Sequence, residues 1–105
     1  MLRIYPVSLR MAADAAAAVN RIGRKDPDLA RQLRRAAASV PLNIAEGTAG
    51  LGKTRTARYA DALGSAYEVD ACLDVAVAMR YIPEPDAAVR ERLRHIIGTL
   101  VKLTR

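Results

Sequence analysis

The chain has 105 residues and a formal net charge of +6; hydrophobic residues make up 51% and aromatic ones 4%, all of them tyrosine. That length suits one domain, residues 1–105, while a lone cysteine, Cys72, excludes an internal disulfide framework, and one cysteine with one histidine, His95, excludes the usual zinc sets. No long uncharged stretch could span a bilayer and no charged-then-apolar leader is evident, so the expected setting is cytoplasmic with no membrane partner.

Alanine runs at Ala12–Ala13, Ala15–Ala18 and Ala36–Ala38, together with the absence of any period-two alternation, predict an all-α fold. The first helix is expected from Pro6 to Ile22, with proline in the first turn and Gly23 at the end. A second opens at Asp26-Pro27-Asp28, an N-cap followed by proline. Its apolar stripe is Leu29, Leu33, Ala36, Ala37, Val40 and Ile44. Pro41 lies inside that stripe and predicts a kink near Ala37 or a split, with Gly47 ending the segment. A third helix is expected over Thr54–Tyr81. A fourth starts near Pro83-Glu84-Pro85, with the stripe Val89, Leu93, Ile96, Ile97 and Leu100. Short connections favour antiparallel neighbours in an up-down bundle.

The third helix stands apart because its apolar positions, from Tyr59 to Val77, run nearly all the way round. Polar residues fall in two narrow stripes: Asp61, Ser65 and Glu68, then Asp70 and Asp74. Such a helix must be covered on more than one side, and a second copy of the chain can do so. An alanine-rich core is thin as well, which favours self-association in a chain this small.

Charge is uneven along the chain. Residues 1–40 hold 8 basic and 3 acidic residues, residues 41–80 hold 4 and 5, and residues 81–105 hold 5 and 3. A basic balance favours polyanions such as RNA or DNA. Arg31, Arg34 and Arg35, spaced by three and four on the second helix, form one surface suited to phosphates, and are the candidate nucleic-acid contacts. No aromatic interleaves them, so base stacking is not implied. Salt bridges to a neighbouring subunit are the other use for such a row.

Gly47 to Thr54, GTAGLGKT, matches the phosphate-cradling P-loop pattern in full. That motif needs a preceding strand, whereas Leu42 to Glu46 continue a helical stripe; a glycine-rich helix–helix loop is the expected reading. Arg90 and His95, with four residues between them, resemble the ribonuclease motif of the HEPN helical bundles. On a helix the two point about 140° apart, and His95 lies off the apolar stripe, which favours a solvated histidine. No serine–histidine–acid set and no paired metal-carboxylate motif is present. The expectation is a non-enzyme without cofactors.

The run from Gln32 to Gly47, QLRRAAASVPLNIAEG, resembles the four-helix bundle proteins first noticed as reading frames in intervening sequences of large-subunit ribosomal RNA genes. Gly64-Ser65 followed by Glu68, then Tyr81-Ile82, resembles that family's second signature. The resemblance spans nearly the whole chain. It implies an antiparallel four-helix bundle assembled into a ring-shaped homo-oligomer, a pentamer. One branch of the family is the accessory protein of diversity-generating retroelements, basic barrels that bind nucleic acid and a reverse transcriptase. This chain departs after Gly47, where the family often carries an arginine; Thr48 to Gly52 intervene before Lys53.

The residues of these signatures also have a physical reading. Gly64 and Ser65 are small enough to let another helix approach. Asn43 and Glu46 are expected to satisfy backbone groups around the kink and the Gly47 terminus, and Glu68 to meet an arginine or a backbone donor. The function that follows is a homo-oligomeric basic scaffold binding nucleic acid or a nucleic-acid enzyme such as a reverse transcriptase. The alternatives are a protein interaction module with no nucleic-acid role, and nucleotide binding through the Gly47–Thr54 loop.

Overall fold

The computed structural model describes residues 2–105, which form four α-helices and no strand. They are α1 (Ile4–Ile22), α2 (Pro27–Ala49), α3 (Gly52–Ala78) and α4 (Ala87–Leu103). Each helix packs on its chain neighbour and α1 closes onto α4, while α1 barely touches α3. Among the described residues no helix is long and apolar enough to cross a membrane.

Helix α1 begins two residues before Pro6, which sits in the first turn where its missing N–H costs nothing. Spacings of three and four bury Ile4, Ser8, Met11, Ala15, Val19 and Ile22 on one face. The Ser8 hydroxyl donates to the Tyr5 carbonyl at 2.7 Å, so this buried polar group is paired. Gly23 donates its N–H to Val19 at 2.9 Å and keeps a right-handed φ of −58°, so the helix ends without a left-handed glycine.

Helix α2 opens as its sequence predicts. Asp26 Oδ1 accepts from the Leu29 N–H at 3.0 Å, and Pro27 follows as the first helical residue. Pro41, however, does not split it: α2 runs unbroken to Ala49. Proline removes one hydrogen bond, and Pro41 is buried against its neighbours, so packing offsets the loss. Asn43 reinforces the same turn, donating from Nδ2 to the Ser39 carbonyl at 3.0 Å and to the Ser39 hydroxyl at 2.9 Å. Nor does Gly47 end the helix. It lies buried within α2 because a Cβ there would fall 2.5 Å from the Tyr59 ring, closer than any side chain tolerates.

Helices α2 and α3 run antiparallel. Near the corner Thr48 meets Tyr59 at 3.4 Å and Glu46 meets Arg58 at 3.2 Å, and further along Ser39, earlier in α2, meets Ser65, later in α3, at 2.8 Å. Between the two helices lie only Gly50 and Leu51. Gly52, with φ +54°, supplies the left-handed residue the corner requires, and α3 therefore starts two residues before Thr54. Its other end falls three residues short of Tyr81. There Arg80 turns left-handed at φ 62°, its N–H bonds the Val77 carbonyl at 3.0 Å, and the Tyr81 N–H bonds the Ala76 carbonyl at 2.8 Å. This pair of bonds is the Schellman stop, made with arginine where glycine is usual.

Pro83 to Asp86 stay non-helical and α4 starts at Ala87. Leu93, Ile96 and Leu100 are buried and Val89 and Ile97 half-buried, which matches the predicted stripe. Two arginines fasten α4. Arg92 grips Asp14 of α1 with two bonds of 2.7 and 2.9 Å. Arg90 bonds Asp70 and Asp74 of α3, and Glu84 ahead of α4, at 2.6, 3.0 and 2.9 Å.

Candidate functional site

Three regions of the charged surface differ in which of their charges have partners. The first is the outer face of α2. Arg31, Arg34 and Arg35 are all exposed there, as their spacing predicts. Arg31 pairs with Asp28 one turn earlier, while Arg34 and Arg35 have no ion pair among the described residues. Arg34 also borders a groove of about 240 Å³ between α1 and α2, floored by Ala12, Ala15, Ala16, Ala37 and Ala38. Leu9 of α1 and Leu42 of α2 stand exposed, at 47% and 61%.

The second region is the end of the bundle where the α1–α2 and α3–α4 connections meet. Its acids other than Asp86 are occupied: Asp26 caps α2 and accepts from the Tyr81 hydroxyl at 3.3 Å, Asp28 pairs with Arg31, and Glu84 with Arg90. Its cations Arg24, Lys25 and Arg80 are exposed, and none has an ion-pair partner among the described residues. The hydrogen bond from Arg90 holds the Glu84 carboxyl below its usual range, against a smaller opposing effect of burial. Burial first, then the Asp26 charge and hydrogen bond, push the Tyr81 phenol up.

The third region is α3. Between Arg58 and Arg80 it carries Asp61, Glu68, Asp70 and Asp74 and no basic residue. Asp70 and Asp74 are taken by Arg90; Asp61 and Glu68 are exposed without ion pairs among the described residues. Glu68 thus meets no arginine within its own chain, contrary to expectation. Its charge instead adds to burial in raising the Cys72 thiol pKa one turn on, which makes that lone thiol a poor nucleophile. Gly64 also departs from expectation: it is exposed, with no atom within 4 Å of where its Cβ would stand, so it admits no close helix inside the bundle.

The remaining motif residues separate into structural roles. Ser65 and Asn43 meet at Ser39, joining α3 to α2. Glu46 reaches Arg58 rather than the backbone near Gly47. The backbone there is served by Arg55, whose Nε donates to the carbonyls of Gly47 and Gly50 at 3.3 and 3.1 Å. A cation on the last carbonyls of a helix is favourable, but no pattern in the sequence singles Arg55 out. The GTAGLGKT segment is a helix corner with no strand before it, so the sheet that would aim its amides at a nucleotide is missing. Arg90 and His95 do not converge either: Arg90 faces the α3 acids, and His95 is exposed beside Arg10 and Glu91.

A family model described as 23S rRNA-intervening sequence protein matches residues 2–102. Among solved structures, a protein of unknown function from the S23 ribosomal protein family of Bacteroides thetaiotaomicron superposes with a TM-score of 0.83. It is 17% identical, and the alignment covers 97% of this chain and 98% of that one, a likeness of fold. No curated protein is similar in sequence.

Proposed function

The chain belongs to the 23S rRNA-intervening sequence protein family, and from that membership and its charge layout we propose a non-enzymatic, homo-oligomeric scaffold that binds RNA through backbone phosphates. The observation that carries this reading is the imbalance at the loop end, where every acid but Asp86 has a partner and Arg24, Lys25 and Arg80 have none. Unpaired guanidinium and ammonium groups recruit phosphates by releasing counterions, a contact blind to sequence. The one aromatic nearby, Tyr81, is turned to Asp26, so base stacking has no platform there. The family is named for ribosomal RNA and the structural relative for a ribosomal protein, which favours RNA over DNA.

The scaffold is a closed ring, and the resemblance in the signatures gives it five subunits. Self-association is supported by the outer face of α3, where Tyr67, Val75 and Met79 stand 52%, 48% and 57% exposed on a helix with an apolar inner face as well. Rotational symmetry would repeat the basic loop end around one rim, and a repeated charge strengthens polyanion binding without any new contact. Gel-shift titration with structured RNA and with duplex DNA at low salt tests the proposal. Retention of RNA ahead of DNA is expected, and binding to neither overturns it.

A further inference from the structure

Two surfaces of the protomer are apolar at their centres, uncovered, and opposite in charge. One is the outward ridge of α3. Ala57, Ala60, Gly64, Ala71, Val75 and Ala78 are exposed at helical spacing, directly opposite the buried face of the same helix. With Gly64 at its middle open to solvent, the ridge is low and lets another backbone come close. Its free charges are Asp61 and Glu68. The other surface is the alanine-floored groove between α1 and α2. Its rim holds Arg34, with Arg35 next to it exposed on α2, and no acid is left unpaired beside them since Asp28 is taken by Arg31.

We infer that the α3 ridge of one copy seats in the α1–α2 groove of the next, with Asp61 and Glu68 meeting Arg34 and Arg35 of that neighbour. This rests on the self-assembly proposed above and adds where it occurs. Three complementarities favour a second copy as the occupant. A row of small residues fits a shallow alanine floor, as ridges fit grooves between helices. Leu42, 61% exposed on α2, gains cover. The acids of α3, which have no base of their own between Arg58 and Arg80, are opposed by arginines that have no acid of their own. The contact is heterologous, since ridge and groove are different patches. Repeating it therefore adds copies in one direction and closes a ring wherever the rotation allows. In such a ring the α2 arginines are covered, and the loop end with Arg24, Lys25 and Arg80 stays open for phosphates.

The contact is tested with single cysteines at two exposed positions, Gly64→Cys and Ala38→Cys, in a Cys72→Ser chain. The doubly substituted chain is expected to oxidise into a ladder extending beyond dimers. Mixing the two singly substituted chains should give dimers, and Gly64→Cys alone should give none. Glu68→Arg should lower the mass in solution toward the 11.4 kDa protomer, and adding Arg34→Glu and Arg35→Glu to that chain should restore assembly. Self-crosslinking of Gly64→Cys alone means ridge on ridge and overturns the inference. An oligomeric parent that yields no 64-to-38 crosslink overturns the inference but leaves the scaffold standing. A parent that is monomeric by light scattering overturns the scaffold itself.

Discussion

Tyr81 and Asp26 tie together the two connections at one end of the bundle. The phenol donates to Asp26 Oδ2 at 3.3 Å, while Oδ1 of the same carboxylate accepts from the Leu29 N–H at 3.0 Å. One side chain thus caps α2 and anchors the segment that follows α3. Asp26→Ala should cost about 1–2 kcal/mol, the usual loss for an N-cap with the Tyr81 contact added. Tyr81→Phe should cost less, because the cap survives. The link also has a pH signature. The Tyr81 pKa is raised by burial and by Asp26, so its share of stability is complete below the usual phenol value and is lost as pH rises through the folded value. Thermal melts between pH 8 and 11 should show a steeper alkaline fall for the parent than for Tyr81→Phe. Matching profiles would contradict the link.

The same chemical change at two glycines should have opposite effects on the protomer. Gly47→Ala forces a methyl into the Tyr59 ring, and overpacking of that kind costs roughly 1–3 kcal/mol. Gly64→Ala meets nothing within the chain and gains about 1 kcal/mol in helix propensity. Melts on dilute, dissociated protein separate the two. Equal destabilisation at both sites would show that Gly64 lies against its own bundle.

Arg80 occupies a left-handed position that glycine takes without strain. Arg80→Gly should therefore stabilise the fold by about 1 kcal/mol while weakening RNA binding. A variant that melts higher and binds less cannot be explained by unfolding. One that melts lower would place the value of Arg80 in packing rather than charge.

Glu84 supplies an acid-side test. Its pKa is lowered by the hydrogen bond from Arg90, so the stability it contributes is present above the unfolded value near 4.5 and is lost as pH falls through the lowered folded value. Between pH 6 and 3 the melting temperature of the parent should drop further than that of Glu84→Gln. Identical drops would mean that the Glu84–Arg90 bond adds nothing to the fold.

How far the sequence revealed all this varied with the kind of signal. Asp26-Pro27 gave the start of α2 to the residue, because a cap and a proline at the first position act locally. The stripes of α2 and α4 gave their buried faces, because burial follows the helical period. The end of α3 was illegible, since an arginine in the left-handed stop leaves no glycine to read. Gly47, and the split that was one of two outcomes expected at Pro41, misled for a related reason. Local rules treat both as breakers, whereas their roles are set by what lies across from them, buried packing for one and the Tyr59 ring for the other. At the candidate site the row Arg31, Arg34 and Arg35 was visible from its spacing. Which cations lack partners was not, because pairing with Asp14 or Asp70 links residues far apart in the chain.

The salt dependence of RNA binding tests the central claim most directly. For the parent, log K should fall linearly with log salt. In the chain carrying Arg24→Ser, Lys25→Ser and Arg80→Ser the affinity should be lower, with a slope shallower by about 1 for each phosphate contact removed. An affinity and slope unchanged from the parent would contradict phosphate binding at the loop end, and no binding by the parent at low salt would contradict the RNA scaffold altogether.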